Sequence, residues 1–209
     1  MKQWIATVAA GAMLAFTTFA HAVSQDVNPD VLVESTIHEA LDLVKHEKDQ
    51  KKIQAMVDEK ILPLFDFTLI TKRAIGVAWK SASAEQKQQL VEEFRSLLVR
   101  VFISKAFNNL ANRTIKVERG DFSSGDDQAT VHTVVNTPGE APLSVDYDFK
   151  KTAGGWKVVD LGVAVPRVAL EIYRNQFQGQ IQQGGVDSVI KFLADKNHEA
   201  ASVKKAGLK

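Results

Sequence analysis

The fold of this chain is decided by the stretch Gly154-Gly155-Trp156-Lys157-Val158-Val159-Asp160-Leu161. The glycine pair supplies the positive φ angles that a tight turn requires, and the Trp, Val and Leu residues after it suit a half-buried strand. Just before this turn, apolar residues alternate with polar ones, at Leu143, Val145, Tyr147 and Phe149. This period of two predicts an antiparallel hairpin with one apolar and one polar face.

The sequence before the hairpin predicts two further strands, at 114–118 and 129–136, and a series of helices before them. Ser83 and Gln86 form a capping box that opens the longest predicted helix, roughly 84–109. Its apolar stripe is wide enough to cover a sheet. After Pro166 the helical period returns, and Gly184-Gly185 interrupts it. The predicted fold class is therefore α+β, with N-terminal helices packed over a curved four-stranded antiparallel sheet and further helices at the C-terminus.

The first residues have the pattern of a secretory signal peptide. Met1-Lys2-Gln3 is followed by an apolar run from Trp4 to Phe19 and then by Ala20-His21-Ala22. A positive start, a short apolar run and an Ala-x-Ala site predict cleavage after Ala22 and export of the mature protein. We therefore expect a signal peptide at 1–22, one domain with a helical extension at 23–197, and a small, basic, disordered tail at 198–209.

Composition excludes several classes of function. The chain contains no Cys, so it has no disulfide framework, while 45% hydrophobic residues are enough for a substantial core. A net charge of +1 gives no electrostatic basis for binding nucleic acid. The His residues are scattered without the spacing of metal ligands, and neither a G-x-S-x-G motif nor a Gly-rich phosphate loop is present.

Acid-base catalysis is one alternative that the residues leave open, because related sheets also hold isomerases and dehydratases. Its candidates are the polar and titratable residues His132, Asp146, Tyr147, Asp148 and Asp160. Asp146 and Asp148 alternate with the apolar face, so we expect them to point to water. A second alternative is an adaptor that binds no ligand, with a filled core.

An ordered set of short motifs resembles the MlaC family of periplasmic phospholipid-binding proteins, also called toluene-tolerance proteins. In chain order the motifs are Ile61-Leu62-Pro63-Leu64-Phe65-Asp66-Phe67, Gly76-Val77-Ala78-Trp79, Glu85-Gln86, Glu93-Phe94, Leu97-Leu98, Gly155-Trp156-Lys157-Val158-Val159-Asp160, Tyr173-Arg174-Asn175-Gln176-Phe177 and Gly185-Val186-Asp187. They span nearly the whole mature chain. None is catalytic or diagnostic alone, and it is their order that carries the resemblance.

The resemblance implies a sheet of the nuclear-transport-factor-2 type with helices enclosing an apolar pocket for phospholipid tails. The implied protein is a monomer, is not an enzyme, needs no cofactor and carries phospholipid through the periplasm, which maintains outer-membrane lipid asymmetry. Its implied partners are an inner-membrane ABC transporter with an MCE-domain subunit and an outer-membrane lipoprotein complex.

The same resemblance turns a set of predicted core residues into candidates for the acyl pocket. These are Phe67, Ile70, Phe94, Leu98, Val101, Val145, Tyr147, Phe149, Trp156, Val158 and Tyr173. Arg167 and Arg174 are the candidates for contact with the lipid head group. The segment 164–170 departs from the family pattern and is one residue longer, so Arg167 is either a phosphate contact or a solvent-exposed cation.

Overall fold

The computed structural model describes residues 27–103, 110–118, 120–121, 125–163 and 169–206. In chain order, its elements are α1 (Pro29–His46), α2 (Gln50–Met56), a π-helical turn (Val57–Ile61), a 3₁₀ turn (Leu62–Leu64), α3 (Phe67–Ile75), a 3₁₀ turn (Gly76–Lys80), α4 (Ala84–Leu98), a second π-helical turn (Val99–Ile103), a 3₁₀ turn (Leu110–Asn112), β1 (Thr114–Val117), β2 (Gln128–Asn136), β3 (Leu143–Thr152), β4 (Gly155–Val163) and α5 (Ala169–Ala206).

The four strands form one antiparallel sheet in the order β1-β2-β3-β4. The predicted turn joins β3 to β4, and Gly155 adopts the positive φ of 90° that the sequence indicated. Thr152 tightens this turn, because its hydroxyl donates to the Gly155 carbonyl at 2.8 Å and accepts from the Gly154 amide at 3.2 Å. The α+β class and its four-stranded antiparallel sheet are therefore confirmed.

A bulge in β4 bends the sheet. Asp148 lies opposite Asp160, but the next residue, Phe149, lies opposite Val158, so Val159 is an extra residue on β4. A bulge shifts the alternation of side chains by one position and increases the local twist. Val158 and Leu161 can therefore both reach the apolar face of the sheet, where each packs with Phe149 and its neighbours.

The helices are arranged in two groups around this sheet. Val33 of α1 is buried against Ala129, Val131 and Phe149, so α1 covers the apolar face. The predicted stripe of α4 instead packs on other helices: Leu90, Phe94 and Leu97 are buried against α3 and α5. The expectation that α4 would cover the sheet is corrected here, because α5 supplies an apolar surface that matches the stripe.

The C-terminal helix α5 is divided by Gly184 and Gly185, as the sequence predicted. Gly185 has a φ of 68°, which favours glycine, and both residues lie outside helical geometry. The second arm continues to Ala206, into the segment that we expected to be disordered. No glycine or proline lies between 186 and 206, and Lys196 pairs with Glu199 one turn later, so the helix has no reason to end earlier.

Within the described parts of the chain, no helix combines the length and the hydrophobicity that crossing a bilayer requires.

Replacing Ser83 by Ala is expected to lower the free energy of unfolding by about 1 kcal/mol, because it removes the capping box of α4. The Ser83 hydroxyl accepts from the Gln86 amide at 3.1 Å, and the Gln86 side chain accepts from the Ser83 amide at 2.9 Å. Urea unfolding measures the change. Ser96→Ala in the same helix is the matched control, since the Ser96 hydroxyl bonds only the preceding turn and its loss should be neutral. Equal effects of the two substitutions would contradict the capping role.

Candidate functional site

The apolar side chains of the described residues form two main clusters that share no buried residue. The sheet cluster is defined by its buried residues Val33, Ala129, Val131, Phe149 and Val158. The helical cluster is defined by its buried residues Ile70, Ala74, Ile75, Leu90, Phe94, Leu97, Phe177, Val189 and Leu193. The separation matters because the pocket residues predicted from the sequence are divided between the two clusters.

Most of the predicted pocket residues can be assigned to one cluster. The sheet cluster takes Tyr147, Phe149, Trp156 and Val158. The helical cluster takes Phe67, Ile70, Phe94, Leu98, Val101 and Tyr173. Val145 is half-buried on β3, and its carbonyl accepts a hydrogen bond from the Thr133 hydroxyl at 3.0 Å. The structure therefore brings the strand residues together and the helix residues together, but not both sets in one cluster.

Part of the helical set has a packing role in this structure. Phe94 has no exposed surface, and its ring meets Tyr173 and Phe177 edge to face, with centroids 5.2 and 5.1 Å away. Phe177 contacts Phe192 in the same way at 6.4 Å. Edge-to-face contacts of this kind stabilise a closely packed interior. Phe94 thus belongs to the interior of the helical group, while Leu98 and Val101 lie at its margin, only partly buried.

The two main clusters meet at a small cluster, which we call the junction cluster. Its buried residues are Val57 and Leu62, and the partly buried Ile61, Phe65, Phe67 and Val99 pack against them. Phe65 and Phe67 are stacked, with ring centroids 5.7 Å apart and planes at 20°. Phe65 is absent from the site residues predicted from the sequence, although its bulk in a loop after Pro63 was a signal that could have found it.

Both π-helical turns contribute to the junction cluster. Val57 begins the first turn and Val99 begins the second. Such turns hold one residue more than an α-helical turn and are frequent at functional sites. The partly buried Leu98 precedes the second turn and the partly buried Val101 lies within it, so the irregular backbone carries apolar side chains that remain partly exposed.

The polar groups on the apolar side of the sheet are satisfied within it. Burial raises the pKa of the Tyr147 hydroxyl, which forms a hydrogen bond with the side chain of Thr133. Thr133 in turn donates to the Val145 carbonyl. Because these hydroxyls are already paired, the sheet can present a largely apolar wall there without an unsatisfied buried donor.

The catalytic candidates do not converge on this wall. His132 and Thr130 lie opposite Asp146 and Asp148, while Tyr147 lies opposite Val131. Since side chains alternate between faces, His132, Asp146 and Asp148 share the polar face and Tyr147 the apolar one. The His132 ring contacts Asp146 at 2.7 Å and Asp121 at 3.3 Å, and the Thr130 hydroxyl donates to Asp148 at 2.7 Å. These contacts link β2 to β3. They also keep the candidate acids and base on the polar face of the sheet, opposite the apolar wall.

Asp160 is also placed on the polar face, opposite Asp148, where its carboxylate accepts from the Leu161 amide at 2.8 Å. Among the described residues, no group of His, Asp and Glu side chains could hold a metal ion.

The two head-group candidates have different outcomes. The Arg174 guanidinium donates to the Arg73 carbonyl at 3.1 Å, so it ties α5 to the end of α3 while remaining exposed. Arg167 and the departure from the family pattern at 164–168 lie outside the described residues.

With this geometry established, the comparisons with known proteins decide the family. The MlaC family model, described as MlaC protein, matches residues 34–195. The chain belongs to the MlaC family. The resemblance carried by the ordered motifs is therefore confirmed.

Two known proteins are similar to most of the chain. The chain is 22% identical over 198 residues to the intermembrane phospholipid transport system binding protein MlaC of Haemophilus influenzae, with 91% of each chain covered. In structure it is similar to the phospholipid-binding protein from Ralstonia solanacearum, solved in complex with a phospholipid. The TM-score is 0.74 and the identity 31%, covering 84% of this chain and 99% of that one.

The contacts of His132 predict a pH-dependent contribution to stability. Hydrogen bonding to Asp146 raises the pKa of His132 above its ordinary value, with a smaller contribution from Asp121. A pKa that is higher in the folded state stabilises the fold fully below the unfolded pKa of about 6.5, and this gain is lost as the pH rises through the folded pKa. His132→Gln should therefore lower the free energy of unfolding more at acidic than at alkaline pH, as measured by urea titration.

The matched control for that measurement is the wild-type protein, unfolded at the same series of pH values. A difference between wild type and His132→Gln that stays constant across the pH range would contradict the raised pKa.

Proposed function

We propose that this protein is a periplasmic carrier of phospholipid that encloses acyl chains against the apolar face of its sheet. The observation that carries the proposal is a set of apolar side chains that stay only partly buried at both main clusters. Tyr147, Trp156 and Leu161 belong to the sheet cluster, and Leu98 at the end of α4 and Val101 in the π-helical turn after it belong to the helical cluster. The likeness to a relative solved with phospholipid supports the same function.

Enclosure follows from the physical chemistry of the cargo. Removing one methylene of an acyl chain from water is favourable by about 0.8 kcal/mol. A lipid with two chains therefore leaves a bilayer only for a site that shields nearly all of its methylenes from water. Satisfied hydroxyls at Tyr147 and Thr133 suit such a wall, because an unpaired polar group would be costly beside hydrocarbon. In this proposal the chains lie along Tyr147, Phe149, Trp156 and Val158, and Val145 extends the wall.

The helical candidates divide under this proposal. In this proposal the acyl chains contact Leu98, Val101 and Phe67 on the helical side. Behind these three residues pack Ile70, Phe94 and Tyr173 of the same cluster. Arg174 remains a candidate for contact with the head-group phosphate, in competition with its bond to the Arg73 carbonyl. The head group needs few contacts with the protein, since its phosphate stays hydrated at the surface of the protein.

The cellular role is proposed in the same terms. A signal peptide at 1–22 would be removed on export, leaving a carrier that works in the periplasm without a cofactor. It would exchange phospholipid with an inner-membrane ABC transporter bearing an MCE-domain subunit and with an outer-membrane lipoprotein complex. This exchange would maintain the lipid asymmetry of the outer membrane. An isomerase or dehydratase is disfavoured because His132, Asp146 and Asp148 lie on the face of the sheet opposite the apolar wall.

The mature protein purified from its host should yield phospholipid on organic extraction, and after delipidation it should take fluorescent phospholipid from vesicles. Mass spectrometry of the extract and gel filtration of protein from vesicles provide the two measurements. Leu98→Trp should lower lipid occupancy severalfold while changing the melting temperature little, because the larger ring occupies the partly open margin.

Leu143→Trp is the matched control, since Leu143 is 41% exposed at the start of β3. It should keep the wild-type occupancy. A wild-type protein that contains no phospholipid and takes none from vesicles would refute the carrier and favour the adaptor.

A further inference from the structure

The backbone around Phe65 is fixed to the open edge of the sheet. β4 is an edge strand, and Phe65 pairs with Val158 in a parallel bridge. The Asp66 amide donates to the Val158 carbonyl at 3.0 Å, and the Lys157 ammonium donates to the Pro63 carbonyl at 2.7 Å. The segment 63–66, which we call the strap, therefore cannot move away from β4 without breaking these bonds.

The ring of Phe65 occupies the boundary between the clusters. Among the residues that the structure describes, Phe65 alone packs against the sheet, helical and junction clusters together. Its neighbour Phe67 reaches the helical and junction clusters, and the Arg95 guanidinium lies 5.5 Å from the Phe67 ring. Although it touches three clusters, Phe65 is only partly buried.

We propose that Phe65 sets the acyl-chain capacity of the site, as a fixed partition between the sheet wall and the helical cluster. The inference rests on the proposed carrier function and identifies the property of the phospholipid that is selected, which is acyl-chain length. A chain that follows the sheet wall past Trp156 and Val158 ends against the Phe65 ring. Because the strap is bonded to β4, a longer chain cannot displace the ring by moving the backbone.

Chain length has a large effect on affinity when the site is enclosed. Each further methylene removed from water strengthens binding about fourfold, whereas a methylene that stays outside adds little. A partition therefore produces a plateau: affinity rises with chain length until the chain reaches Phe65 and then stops rising. Removing the ring should move the start of this plateau to longer chains, and enlarging the ring should move it to shorter ones.

The experiment measures dissociation constants of the delipidated mature protein for a homologous series of phosphatidylglycerols, from dilauroyl to distearoyl, presented below their aggregation concentrations or by competition from vesicles. Phe65→Ala should move the chain length at which affinity stops rising to longer homologues, with a gain of about fourfold for each additional methylene enclosed. Phe65→Leu should give a smaller shift in the same direction, and Phe65→Trp a shift to shorter chains.

Phe192→Ala is the matched control, because Phe192 is a partly buried aromatic residue of the helical cluster and is absent from the sheet cluster. It should keep the dependence of affinity on chain length that the wild type shows.

If Phe65→Ala does not fold, Phe65→Leu and Phe65→Trp still test the direction of the shift. Phospholipid binding with an unchanged chain preference in the Phe65 variants would overturn the partition alone. A wild type that binds no member of the series would overturn the carrier function and the partition with it.

Discussion

The attachment of the strap to β4 is the constraint on which the rest of the structure depends. Two hydrogen bonds, from Asp66 to the Val158 carbonyl and from Lys157 to the Pro63 carbonyl, hold residues 63–66 at the edge of the sheet. Asp66 also caps α3, since its carboxylate accepts from the Leu69 amide at 2.8 Å. One short segment thus protects an open strand edge and fixes the start of the helical group beside it.

This attachment explains why the apolar interior is divided. The helical cluster is complete in itself, with Phe94 and Phe177 fully buried between α3, α4 and α5. The sheet cluster is covered by α1 on one side and bounded by Phe65 on the other. A single continuous core would leave no place for a lipid chain. Two cores joined at a narrow junction allow partly buried apolar side chains to remain between them, which is what the proposed carrier requires.

Local signals in the sequence determined most of the fold. The strand at β3, the Gly154-Gly155 turn, the capping box at Ser83 and the Gly184-Gly185 break are each predicted from neighbouring residues, and the structure confirms them. The partner of α4 and the bulge at Val159 could not be predicted, because both depend on contacts between segments distant in sequence. The site was predicted only as a set of apolar residues. Periodicity identifies a buried face but does not distinguish Phe94, which is fully buried in the helical cluster, from Tyr147, which is partly buried in the sheet cluster.

Photochemical labelling tests whether acyl chains lie along the sheet wall beside the strap. A phospholipid with a diazirine at the end of one acyl chain is loaded into the mature protein and photolysed, and the labelled peptides are identified by mass spectrometry. Acyl chains in this position should give adducts on 143–152, 155–163 and the region around Phe65. Adducts confined to the interior of the helical group, on residues such as Phe177 and Val189, would contradict it.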